Sequence, residues 1–244
     1  MANSFFSFKQ FTIHQDRCAM KVTTDACLFG AWIAEQLESS TENYTSCLDI
    51  GAGTGLLSLQ LAQKLANYSF TAVEIDEDAA AQALDNFQNS PWKNRINIVQ
   101  ADVREISLTN KVDVIFSNPP FYEDDLRSPN VNKNRAHHDE SLLLTEVIDI
   151  INHHLQPNGR FFLLLPYKRK SEIERHLTDN ELHIEKLVLV KPSPENDYFR
   201  IMIKGTHKSV NTGETISQTM EVTDTEGNYT HFFTSLLKDY YLYL

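Results

Sequence analysis

The sequence predicts an α/β protein whose mostly parallel sheet is covered by helices on both faces. Three observations lead there. From Ser46 onward, short β-branched or apolar runs alternate with stretches of helical periodicity, the pattern of repeated β-α-β units. A chain of 244 residues with 41% hydrophobic content is long enough to bury one substantial core. No Pro-, Gly- or Ser-rich stretch divides that core, and no internal repeat or low-complexity segment interrupts it. The expectation is one domain with decorated ends: residues 1–45 covering a site, a sheet-and-helix core over 46–205, and an extension of the same domain over 206–244.

Taken in order, the first segment is FTIHQDRCAMKVTTDACLFGAWIAEQL, in which Thr23 or Thr24 can cap a helix running from about Asp25 to Leu37. Strands are expected at Ser46–Ile50, Phe70–Glu74, Ile96–Gln100 and Val112–Ser117, then at Arg160–Pro166, Leu182–Val190 and Phe199–Lys204. Between them, Leu56–Ala66 carries apolar residues at helical spacing. Glu77–Asn89 opens with acids suited to a helix N-terminus, and Leu142–His154 is periodic until Pro157, Asn158 and Gly159 stop it. After Lys204, a hairpin arm around residues 226–228 followed by a short aromatic-rich helix is expected.

Composition removes several classes of function. The longest apolar runs, such as RFFLLLP, fall far short of the roughly 20 residues that cross a bilayer. The N-terminus MANSFFSFKQF lacks a basic region followed by an apolar one, so a cytoplasmic location is expected. Cys18, Cys27 and Cys47 are odd in number and have no C-x-x-C spacing, which argues for plain buried thiols and against a disulfide framework or zinc site. Net charge is -11 and the pI about 5.2, so the molecule as a whole should not cling to nucleic acid. Between Arg160 and Lys208, however, ten Lys/Arg stand against seven Asp/Glu, a balance of 10 - 7 = +3. Lys168, Arg169 and Lys170 there are either part of a basic face or a solvated helix start.

The most informative local motif is LDIGAGTGLLSLQLA, in which Gly51, Gly53 and Gly55 form G-x-G-x-G between a strand and a helix. Glycines here let the backbone turn tightly at a sheet edge and approach a ligand. A dinucleotide fingerprint would carry its third glycine one place later, where this chain has Leu56. Asp49, just before the glycines, suits a ligand with a cationic amino-acid end and would repel a pyrophosphate. Glu74 ends the next strand, where a carboxylate can accept both ribose hydroxyls, and Asp102 ends the one after, where it could accept an adenine amino group. Singly, each acid would more often be a cap or a solvated charge. In order, they offer one nucleoside its polar contacts.

At this point the chain resembles the class I methyltransferases over roughly residues 46–205. The resemblance implies S-adenosylmethionine as cofactor, contacts at Asp49, Gly51, Gly53, Glu74 and Asp102, and a Rossmann-like sheet of seven strands with the last antiparallel. The fourth strand then runs KVDVIFSNPPF, placing Asn118, Pro119, Pro120 and Phe121 past its end on the edge of the glycine loop. An Asn-Pro step often starts an ordinary turn. The alternative is chemical. An amino group conjugated to a ring has a delocalised lone pair, and acceptors such as the Asn118 side-chain oxygen and the Pro119 carbonyl can bind its two hydrogens and favour a pyramidal nitrogen. Two prolines stiffen that geometry, and Phe121 offers a face for a flipped-out base. The tetrad resembles the Asp/Asn/Ser-Pro-Pro-aromatic motif of methyltransferases that act on amino nitrogens.

Three stretches outside the common core carry a closer resemblance, to the bacterial tRNA1(Val) adenine-37 N6-methyltransferases: FTIHQDRCAMKVTTDACLFGAW, NPPFYEDDLRSPNVNKNRAHHDESL and YTHFFTSLLKDYYL. That resemblance implies transfer to the N6 of an adenine in tRNA. Methylation of ribosomal RNA fits the same motifs. A protein glutamine methyltransferase shares the tetrad but usually carries a helical N-terminal domain, and only about 45 residues precede the first core strand here. A non-enzymatic RNA-binding scaffold would show an eroded tetrad or cofactor acids, and none is eroded. The pairs His137-His138 and His153-His154 lack i, i+4 spacing or companion ligands, so no metal is expected. The latter reads as a helix C-terminal feature. The former, with Lys133 and Arg135, either contacts RNA or is a solvated loop. Monomer is the default expectation.

Overall fold

Continuous apolar runs bury both faces of a strand, and that is how the core strands lie in the computed structural model, which describes residues 3–119, 142–210 and 213–244. The predicted site residues Pro120 and Phe121, and the basic loop at Lys133, Arg135, His137 and His138, lie outside the described residues. A short antiparallel hairpin, β1 (Phe5–Ser7) and β2 (Thr12–His14), precedes α1 (Thr24–Glu38). Thr23 caps α1 by accepting from the Ala26 amide at 3.4 Å.

The core then alternates as β3 (Ser46–Ile50), α2 (Leu56–Lys64), β4 (Ser69–Glu74), α3 (Glu77–Gln88), β5 (Ile96–Gln100) and β6 (Val112–Ser117). After residues 118–143 come α4 (Leu144–His154), β7 (Leu155–Pro166), α5 (Lys170–Asp179), β8 (Leu182–Lys191) and β9 (Arg200–His207). The chain ends with β10 (Ile216–Glu221) and α6 (His231–Leu237). The strands lie side by side in the order β10-β8-β9-β7-β6-β3-β4-β5. All neighbours from β5 to β7 are parallel, and β9 runs antiparallel between β7 and β8.

Three expectations need correction. The sheet has eight strands among the described residues, not seven: β10 adds to the edge, parallel to β8, with Ile216 opposite Lys186. The C-terminal arm is accordingly not a free hairpin. The turn is present, with Thr223 bridged to Tyr229 and Gly227 at φ +84°, and the short aromatic-rich helix follows it as α6. An edge strand buries one face at most, and ISQTME has a single buried residue, Met220, so its apolar signal is weak. β7 also begins at Leu155, five residues before the run that predicts it. The register jumps from Val112 opposite Leu155 to Val114 opposite Arg160, leaving Gln156–Gly159 as a bulge.

Side chains alternate across the sheet into two cores. Phe162 and Leu164 of β7 join one with α1, α2, α3 and α6; Phe161, Leu163 and Leu165 join the other with α4 and α5. The two ends of the chain meet. Phe8 pairs with Tyr241, the Lys9 amide donates to the Tyr240 carbonyl at 2.8 Å, and Tyr240 is buried with its hydroxyl on the Gln60 carbonyl.

Candidate functional site

The connection from β3 turns toward β4, whereas β6 lies on β3's other side, so a crevice forms where the strand order reverses. A cleft of about 620 Å³ opens there, lined by every described residue predicted for the site except Gly55 and Asp49, the latter one residue before the lining residue Ile50. The Ser117 hydroxyl donates to the Ile50 carbonyl at 2.8 Å, tying the ends of β6 and β3 together. Asn118 and Pro119 thereby face the same cleft as the glycine loop.

Gly51 and Gly53 adopt φ of +69° and +53°, and a Cβ on either would meet nothing within 4 Å. They hold the loop in a conformation side chains disfavour while leaving the cleft wall bare for a ligand. Gly55 is different: its φ is +79°, and a Cβ would stand 2.3 Å from Cε1 of Phe87, so it seats α2 against α3 and does not face the cleft.

Each predicted acid has a distinct environment. Asp49 is 1% exposed. Its Oδ2 accepts from the Ser58 hydroxyl at 2.7 Å, and its Oδ1 is buried without a partner among the described residues. Burial, reinforced by the nearby charge of Glu74, pushes its carboxyl up to about 7. Glu74 accepts the Gly53 amide at 2.8 Å on Oε2 and the Asp76 amide at 3.0 Å on Oε1, which leaves each oxygen a lone pair for a hydroxyl. Asp102 is occupied. Its Oδ1 accepts from the backbone N–H and the Nε of Arg104, both at 2.9 Å, and the Arg104 guanidinium also covers Oδ2. The same pairing holds the Asp102 carboxyl below the usual range. An adenine amino group reaches Asp102 only if Arg104 yields a bond, so this predicted contact has a competitor.

Three features were missed in the sequence. Arg104 also donates to Glu146 Oε1 at 3.1 Å, joining β5's end to the first turn of α4. Gln15 anchors residues 18–23, which line the cleft: its Oε1 accepts from the Val22 amide at 2.8 Å and its Nε2 donates to the Asn3 carbonyl. Asn86 of α3, 1% exposed, takes the His14 amide and donates to the His14 and Thr54 carbonyls, all at 2.9 Å. It fastens β2 to the glycine loop. Gln82 and Asn86, two amides at i, i+4 on the buried face of α3, were the available signal.

The donor set fits S-adenosylmethionine at most points: an unpartnered buried carboxylate atom, bare glycines and a diol-binding acid. Glu74, Asp76, Glu77 and Asp102 line the cleft, against Lys21 and Arg104, a charge that rejects a pyrophosphate.

Comparison with solved structures shows the same architecture. A predicted O-methyltransferase of Agrobacterium tumefaciens superposes with a TM-score of 0.66 at 16% identity, covering 88% of this chain and 96% of that one. The ribosomal protein L11 methylase of Lactobacillus delbrueckii subsp. bulgaricus follows at 0.52 and 18%, covering 73% and 77%. Fold and cleft define a class I methyltransferase, and the family model "Methyltransferase small domain" matches residues 30–184. Curated relatives named tRNA1(Val) (adenine(37)-N6)-methyltransferase include those of Dyadobacter fermentans, 37% identical over 98% of both chains, and Bacteroides thetaiotaomicron, 36% identical over 100% of both. The chain belongs to that family.

Proposed function

We propose that the protein transfers a methyl group from S-adenosylmethionine to the exocyclic N6 of an adenine in tRNA, at position 37 of tRNA1(Val). The observation that carries this is the end-to-end similarity to relatives of that name, joined to an Asn118-Pro119 step on the cofactor cleft. The fold alone does not choose the acceptor.

The cofactor supplies a methyl group on a sulfonium, already activated for displacement. The protein's residues have three tasks. Asp49 and Glu74 hold the amino-acid and ribose ends, with the bare faces of Gly51 and Gly53 between. The Asn118 side-chain oxygen and the Pro119 carbonyl accept the two N6 hydrogens, localising the lone pair toward the methyl group. Phe121 stacks on the base, and Pro120 stiffens the tetrad. With the cofactor bound, attack by the nitrogen would break the carbon–sulfur bond, its electron pair leaving on sulfur. The nitrogen then loses one proton to water, so no general base and no metal is required. The reading carries with it a cytoplasmic, monomeric enzyme.

The test is methyl transfer from radiolabelled S-adenosylmethionine to bulk tRNA from a strain lacking the gene, followed by nucleoside analysis. Label in N6-methyladenosine is expected. Label confined to ribosomal RNA or to protein glutamine would overturn the acceptor while keeping the chemistry.

A further inference from the structure

A second concavity, of about 660 Å³, lies on the α5 side of the sheet, where β8 and β10 extend beyond the helix. Its floor is Leu187 and Leu189 of β8 with Thr215 and Ser217 beside β8 on the same face, an apolar and hydroxyl surface. Lys168 and Lys170 stand on its rim, and Glu174, which pairs with Lys170 at 2.6 Å, is the one acid lining it among the described residues. The described lining thus carries two lysines against one acid in a chain of net charge -11.

One end of the groove reaches the edge of the sheet that carries the catalytic step. Tyr167 directly follows β7, whose Leu163 pairs with Ser117 of β6, so Tyr167 stands about three residues, or roughly 10 Å, beyond the level of Asn118. Its ring meets Tyr198 at 4.9 Å between centroids, tilted by 41°. Lys191 sits 4.8 Å from the Tyr198 ring centroid, and the Tyr198 hydroxyl is 3.2 Å from that of Thr219. Both tyrosines are half-buried; Tyr167 packs against the core on the α4 and α5 side, whereas Tyr198 belongs to neither core. Glu195 and Asp197 are exposed on the same loop, so the ring there is flanked by negative charge and any phosphate has to pass on the lysine side.

Aromatic faces that leave one strand end free, followed by lysines along a trough, are what single-stranded RNA needs: stacking for an unpaired base and cations for the backbone. We propose that this groove seats the unpaired nucleotides flanking the reacting adenine, with a base on the Tyr167–Tyr198 pair and phosphates passing Lys168 and Lys170. The proposal rests on the reading of the enzyme as an RNA methyltransferase.

The test uses the full chain with Tyr167→Ala, Tyr198→Ala, Tyr198→Phe and Lys168→Gln. Affinity for a fluorescein-labelled tRNA1(Val) transcript lacking modifications is read by anisotropy, and affinity for S-adenosylhomocysteine by calorimetry. Each Ala variant should weaken RNA binding about 5- to 100-fold, Tyr198→Phe should retain it, and the nucleoside ligand should bind all variants as it binds wild type. Lys168→Gln should flatten the slope of log affinity against log salt by about 0.7. RNA affinity untouched by both Ala variants would leave the groove to some other partner and overturn the proposal. So would loss of S-adenosylhomocysteine binding in parallel, or equal losses in Tyr198→Phe and Tyr198→Ala, since either marks a structural role. Failure of the wild-type enzyme to methylate any tRNA would instead strike the acceptor assignment, whatever the variants do.

Discussion

Asn118 and Asp49 are assigned opposite relations to the cofactor under the proposed function, and substitution separates them. Asn118 follows β6 on the cleft and is assigned to the substrate's hydrogens, so Asn118→Ala should leave S-adenosylhomocysteine affinity intact and lower kcat by about 100-fold or more. Equal loss of both would make it a cofactor or folding residue. Asp49, with its carboxyl raised to about 7, keeps a proton in the folded state between about pH 4 and 7 that the unfolded chain has released. Stability contributed at this position therefore falls as pH rises through that window and levels off above it. Asp49→Asn, which keeps the acceptor for Ser58, should melt higher than wild type at pH 8 and lose the advantage near pH 4. Parallel melting curves at the two pH values would show that Asp49 ionises normally. Because a cationic end favours the carboxylate, cofactor binding at pH 6 should release protons, measurable by calorimetry in buffers of different ionisation enthalpy.

At the scale of elements, α3 is the part that shapes the cleft from behind. Its Asn86 holds β2 and the glycine loop, Gln82 accepts the Arg17 amide at 3.1 Å, and Asp85 pairs with the Arg17 guanidinium. The exposed ion pair contributes little, whereas the buried amide leaves three backbone groups unsatisfied if removed. Asn86→Ala should lower stability by about 2–3 kcal/mol, which for a domain of this size is about 5–10 °C in Tm, and should weaken cofactor binding by loosening residues 18–23. A lower Tm with unchanged cofactor affinity would mean that the clamp supports the fold without shaping the site. The cations of β7 to β9 tell a related story: Arg160 meets Glu185 at 2.8 Å, Arg200 meets Asp25 at 2.8 Å, and Lys208 lies 3.7 Å from Glu181. Glu181 and Glu185 are already counted in the balance between Arg160 and Lys208, so of these three partners only Asp25 of α1 answers part of the positive excess from outside that stretch.

For the molecule as a whole, the two ends share one aromatic seam. Phe8 stacks with Phe11 at 4.5 Å, Phe11 meets Trp92 edge-on, and Phe233 and Tyr240 are buried in the core that holds α1 and α2. We propose that ends and core unfold as one unit, giving a single urea transition by fluorescence and by circular dichroism. Truncation after residue 228 removes Phe233, Leu237 and Tyr240 together, so it should abolish that cooperative transition. A truncated chain that still melts sharply would make the extension a separate unit.

Most of the sheet and the cofactor loop were legible because their signals are local. β3 and β6 begin and end where their apolar runs do, since a central strand buries both faces whatever its neighbours, and β5, at the sheet edge, keeps the bounds that its β-branched run predicts. The left-handed turns at Gly51 and Gly53 likewise need only glycine. The sequence by itself determined the class of fold, the crevice and the order of the acids along it. Only the tertiary structure decided that β10 joins β8, that Asn86 clamps the glycine loop, that Arg104 occupies Asp102, and that Tyr167 meets Tyr198. Each of those depends on a partner brought close by the fold: an edge strand, a buried amide, a flexible guanidinium and a half-buried ring gain their free energy from whatever stands opposite them, and the residue alone does not say what that is.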